Sequence, residues 1–154
     1  MRKLFFMMVA LALLAACGNR QTVVASADDG HDGAAVPFVL AKNYFFKQGQ
    51  ELPASPKITS AEAFNALFGM ATLMGEDGKP TAIDFDRQFA VAVVLPVTDV
   101  ATEIRPVKVE DKGDTLFYDY EVTRGEKQSF SIQPVSIIVL DKKYERKEVV
   151  LAGE

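Results

Sequence analysis

Among 154 residues there is one cysteine, Cys17, and one histidine, His31. Those two counts bound the chemistry. Nucleophilic catalysis pairs an activated Ser or Cys with a base, most often His, held to within about an ångström. His31 lies within Gly18–Pro37, a stretch of Gly, Ala, Ser and Asp without sustained periodicity, and a flexible segment cannot hold a base to that tolerance. A Ser-Lys arrangement is not excluded by counting, though no spacing points to one, and carboxylates are the other candidates. Asp119 and Glu121 fall on one face of an expected strand, and a small carboxylate-dependent hydrolase would use such a pair as acid and base or nucleophile. With 25% of the residues charged, same-face carboxylates recur by chance, and a solvated sheet face is the simpler reading. Glu76, Asp77, Asp84 and Asp86 offer oxygens for calcium but lack the D-x-D-x-D-G progression, and Asp84 reads instead as the cap of a turn before Gln88. Zinc's preferred ligands, Cys and His, are missing from the expected domain. Gly75-Glu76-Asp77-Gly78-Lys79-Pro80 carries acid where a phosphate would sit. No metal, no cofactor and no catalytic set are therefore expected: the chain reads as a non-enzyme.

Cys17 has another use. Arg2 and Lys3 precede Leu4 to Ala16, an uncharged run too short for the roughly 20 residues that span a hydrocarbon core, which is the pattern of a signal peptide. Its end, Leu14-Ala15-Ala16-Cys17, resembles the bacterial lipobox, in which the cysteine sulfur receives diacylglycerol before cleavage. The resemblance implies that residues 1–16 are a lipoprotein-type signal and that the mature chain begins at an acylated Cys17. Two or three acyl chains, palmitate among them, anchor durably where one does not. Gly18 and Asn19 lack the Asp that retains enterobacterial lipoproteins at the inner membrane, and no acidic run directly follows the cysteine. The expected location is the outer membrane, facing the periplasm.

Losing residues 1–16 removes 2 of 17 basic side chains and none of the 21 acidic ones, so the mature charge is 15 − 21 = −6. That sign argues against nucleic acid as a partner. With its one thiol acylated the chain has no disulfide, and burial alone must hold the fold. Residues 17–37 read as lipidated cysteine and tether, with an r.m.s. reach of roughly 25 Å. Residues 38–154 read as one α+β domain.

Within that domain Phe38-Val39-Leu40 and Tyr44-Phe45-Phe46 read as strands, and Pro53 and Pro56 interrupt regular structure. Thr59-Ser60-Ala61-Glu62 fits a capping box with Thr59 as N-cap, opening a short helix over about residues 60–68 that Gly69 ends in a left-handed conformation. Phe64 and Phe68 are its core anchors. Met70 to Pro80 reads as a loop. Gln88 to Leu95 is a continuous apolar run of the kind that forms a strand buried on both faces. Further strands are expected over 102–110, 115–122, 128–133, 135–140 and 147–151, joined as antiparallel hairpins with turns at Glu110–Asp114 and Arg124-Gly125-Glu126. Pro106 marks an edge or a bulge and Pro134 a break. Leu116, Tyr118 and Tyr120 share one face of their strand. The expected architecture is a mostly antiparallel sheet of about six to seven strands with one short helix packed on it.

The order of lipobox, tether, Ile58-Thr59-Ser60-Ala61-Glu62-Ala63-Phe64 helix, Ile83-Asp84-Phe85 strand entry and hairpins closing near Gln133-Pro134-Val135 resembles the PrcB-like domain of bacterial protease-associated lipoproteins. The likeness covers about residues 57–142 and extends to small Bacteroidetes lipoproteins. It implies a protein-binding module that modulates or stabilises an envelope protease. Where that family carries a Gly-Gly turn this chain has Pro96-Val97-Thr98-Asp99-Val100. Loops on a rigid sheet are where contacts usually sit, which nominates Met70, Leu73, Met74, Val97, Thr98 and Asp99 as partner contacts. An alternative is an envelope-assembly lipoprotein that binds by strand addition. Asp114-Thr115-Leu116 resembles the short O-glycosylation acceptor of Bacteroidetes and nominates Thr115.

Overall fold

The computed structural model describes residues 23–24, 33–71 and 78–153. Side-chain alternation dictates its layering. In β7 (Gln88–Val94), Phe89, Val91 and Val93 point to one side and Ala90, Ala92 and Val94 to the other. In β10 (Val135–Asp141), Ile138 and Leu140 oppose Ile137 and Val139 in the same way. Strands apolar on both faces must be covered on both faces. They lie at the centre of an antiparallel five-stranded sheet ordered β1 (Val23–Val24), β3 (Phe38–Ala41), β10, β7, β5 (Lys57–Ile58).

One face of this sheet packs on a second, ordered β11 (Glu148–Gly153), β9 (Thr115–Ile132), β8 (Thr98–Lys112), β2 (Ala34–Ala35). Val109, Leu116, Tyr118 and Val149 meet Phe38, Phe89, Val91 and Ile138 there, and each fully buried side chain of this size stabilises by about 1.5–3 kcal/mol. The other face is covered by α1 (Ala61–Leu67) and a small ribbon of β4 (Tyr44–Phe46) with β6 (Phe68–Met70). Phe64 anchors the helix: its ring centroid lies 5.0 Å from Tyr44, 4.9 Å from Phe68 and 5.6 Å from Phe85.

This architecture corrects the α+β expectation. Among the described residues the protein is mostly β, in sheets of five, four and two strands, because a seven-residue helix is too small to make a layer and shares its face with the β4–β6 ribbon. Three local readings change with it. Ser60, not Thr59, caps α1, accepting from Ala63 N at 3.2 Å, and the chain passes from Leu67 straight into β6 with Gly69 extended on the ladder. No turn forms at Arg124-Gly125-Glu126: β9 runs unbroken from Thr115 to Ile132, with Arg124 opposite Thr102. The last strand is parallel to its neighbour, because β10 leaves for the five-stranded sheet and β11 returns beside β9.

Other readings match. Gly113, at φ 77°, fills the first position of a two-residue hairpin loop, where positive φ is needed. The β8 register shifts between Pro106 and Lys108, a bulge at the proline. β9 ends at Ile132 and β10 starts at Val135, on either side of Pro134. Ahead of the boundary placed at Phe38, Ala34–Ala35 already pair with Glu110 and Asp111, and Val36 is buried, donating its N–H to Val109 O at 2.8 Å.

Candidate functional site

Cys17, His31, Leu73 and Met74 lie outside the described residues. Glu76 and Asp77 also lie outside the described residues, and Asp84, Asp119 and Glu121 are already engaged. Asp119 Oδ2 lies 3.7 Å from Lys108 Nζ, and Glu121 is ion-paired with Arg105. Asp84 accepts from Arg87 Nε at 2.7 Å and Asp86 N at 3.1 Å, so it does cap the turn before β7, and these bonds hold its carboxyl below the usual range. A cavity of about 530 Å³ beside it is walled by Arg87, Gln88 and Asp141, but Asp141 is occupied in capping the 3₁₀ turn Lys142–Tyr144, accepting from Lys143 N at 2.9 Å. Among the described residues no group of three potential metal ligands converges.

Of the nominated contact residues, Met70 ends β6 and is 67% exposed, and Val97 occupies the corner between β7 and β8 and is 64% exposed. Thr98 Oγ1 accepts from Val100 N at 3.1 Å, and Asp99 pairs with Lys127 at 2.9 Å. Thr115 is half-buried next to the tip of the β8–β9 hairpin, opposite Glu148. Sequence reasoning passed over further exposed apolar side chains, Phe45 and Phe130 among them. Alternation signals Phe45, which lies between inward-facing Tyr44 and Phe46, but not Phe130, whose flanking Ser129 and Ser131 are exposed as well. Phe45, Val97 and Ile132 line one cavity of about 500 Å³, and Ile132 and Phe130 line another of about 380 Å³. Phe45, Val97 and Phe130 are therefore linked at one end of the sandwich through cavities that share Ile132.

A fourth cavity, of about 220 Å³, opens on the side of the sandwich where β5 and β11 are the outermost strands. It is lined mainly by apolar side chains, Leu52, Pro56, Ile58, Leu95 and Leu151 among them, with the Tyr120 phenol and Ser55 as its polar side chains. Pro53 and Pro56 keep residues 52–56 out of the ladder, which leaves this mouth uncovered by a strand. Lys57 ties its two walls together, donating from Nζ to the carbonyls of Glu145 at 2.6 Å and Lys147 at 3.0 Å. Beside the mouth runs β11, unpaired on its outer edge among the described residues. Its stretch Val149-Val150-Leu151-Ala152-Gly153 carries no charge, proline or bulge, the devices by which natural edge strands avoid new pairing.

No family model, curated protein or solved structure matches this chain. The geometry alone defines the candidate site: an unguarded strand edge beside an apolar slot.

Proposed function

We propose that this chain is a membrane-tethered, non-enzymatic binding module of the cell envelope, anchored at Cys17 in the outer membrane and facing the periplasm, which holds an extended segment of a partner protein along the outer edge of β11. The observation that carries this reading is the juxtaposition of the uncharged 149–153 edge with the 220 Å³ apolar cavity that Leu151 and Tyr120 line. An added strand supplies backbone hydrogen bonds, which give affinity. One of its apolar side chains fills the slot, which gives selectivity. A catalytic alternative finds less support, since Asp84, Asp119 and Glu121 are each taken up by a cation. The partner class suggested by the sequence likeness is an envelope protease, whose extended terminus or inter-domain linker has the required form.

The test is capture from detergent-solubilised envelope with the wild-type protein and with Leu151→Lys, which sets a charge at the slot. A protease or assembly protein retained by wild type and lost at least tenfold by the variant supports the proposal. Equal retention by both proteins overturns the assignment to β11.

A further inference from the structure

The apolar end defined by Met70, Phe45, Val97 and Phe130 has a separate use, because the N-terminal end of β1, six residues after Cys17, points towards it. Register fixes that direction. β1 pairs antiparallel with β3, Val23 opposite Val39 and Val24 opposite Phe38, so the N-terminal end of β1 points towards the Leu40–Ala41 end of the sheet. The ladder places Ala41 beside Ile137, and Val135 beside Val94, so the same end holds the β7–β8 and β9–β10 corners. From there Asn43 leads into β4, and its carbonyl accepts from Ala71 N at 2.9 Å, which brings Met70 and Phe45 to this end as well.

The leash is short. Between Cys17 and Val23 there are six Cα–Cα steps, which at about 3.5 Å each span at most about 21 Å. A tether running freely to Pro37 would permit several times that length. Pairing of Val23–Val24 with β3 therefore holds one particular end of the domain near the acyl chains.

We propose that this end docks on the lipid bilayer, with Phe130, Val97, Met70 and Phe45 entering the headgroup and acyl boundary. Exposures of 59%, 64%, 67% and 49% for these four side chains are too large to be core and lie together at one end. Lys42 and Lys79, both exposed, flank the rim: Lys42 follows β3 directly, and the Lys79 carbonyl accepts from Asn43 Nδ2 at 3.0 Å. Cations beside aromatic and aliphatic side chains suit an interface in which lipid phosphates overlie acyl chains. The orientation leaves β11 facing sideways, parallel to the membrane plane, where a periplasmic partner can reach it. Met70 and Val97, nominated above as protein contacts, then meet lipid instead.

This inference rests on acylation of Cys17, and its test separates the two. The chain has no tryptophan, so one introduced residue is the sole reporter. The full chain, acylated in cells, is placed in vesicles of phosphatidylethanolamine with phosphatidylglycerol as the minor lipid, carrying either Phe130→Trp or, at the opposite hairpin tip, Asp114→Trp. Docking predicts that Phe130→Trp emission shifts to the blue and is quenched by brominated acyl chains at least threefold more than Asp114→Trp. Protein that floats with the vesicles but shows solvent-like Phe130→Trp emission, equal to Asp114→Trp, overturns docking and leaves the anchor standing. A mass showing no lipid on Cys17 overturns both.

Discussion

Tyr120 sits directly across the β9–β11 ladder from Gly153, and its ring folds over the glycine so closely that a Cβ there would fall well inside van der Waals contact with the ring carbons. The same relationship recurs between Phe45 and Gly69 in the β4–β6 ribbon. In each case glycine provides the space in which an aromatic ring lies flat on the sheet. Tyr120 is also a wall of the apolar slot, so the position of this ring sets the slot's shape. Gly153→Ala must push the ring away. We expect a stability loss of about 1–2 kcal/mol, measured by urea denaturation, together with weaker partner retention. Unchanged stability and retention would show that the ring has no fixed place.

The cap of α1 distinguishes two adjacent residues. Ser60→Ala removes the acceptor for Ala63 N and should cost about 1 kcal/mol, whereas Thr59→Ala should stay within about 0.5 kcal/mol. The capping-box reading requires the reverse order, so one pair of thermal melts decides between them.

Phe64→Ala should be far more damaging. It removes the side chain that joins α1 to Tyr44, Phe68 and Phe85, at an expected cost of about 3–5 kcal/mol in chemical denaturation. A loss below 1 kcal/mol would mean that the ribbon closes over the sheet without the helix.

Two buried groups set the pH range of stability. Burial pushes the Tyr118 phenol up to about 12, offset in part by nearby Ser136, though neither hydroxyl has a hydrogen-bond partner among the described residues. A folded value above the unfolded one of about 10 means that this contribution is complete below pH 10 and is lost as pH rises towards 12, about 3 kcal/mol in all. Phenolate absorbance should show one of the four tyrosines titrating last, together with alkaline unfolding. Glu110 behaves oppositely. A 2.9 Å bond from Lys108 holds its carboxyl below the ordinary range, so its contribution is present above about pH 4.3 and is lost as pH falls through the lower folded value. Glu110→Gln should flatten the acid limb of the stability curve.

Much of the core was legible because its signal is local. The unbroken apolar run at Gln88 announces a strand covered twice, and Leu116, Tyr118 and Tyr120 alternate as inward-facing residues should. What eluded sequence was decided by distant partners. Arg124-Gly125-Glu126 carries turn chemistry, yet pairing with Val100–Glu103 keeps it extended. The parallel return of β11 beside β9 depends on β10 crossing to the other sheet, which the spacing of strands does not encode. The same holds for the candidate site: Tyr120 and Leu151 are far apart in the chain from Leu52, and only assembly of two sheets makes them one surface.

The most direct test of partner binding along β11 is photocrosslinking in the intact envelope, with the photoreactive amino acid at Val150 or, as the control at the hairpin tip, at Asp114. The account predicts one discrete crosslinked protein from Val150, absent from Asp114 and abolished when Leu151→Lys is added. No crosslink from Val150, or the same crosslink from both positions, would contradict it.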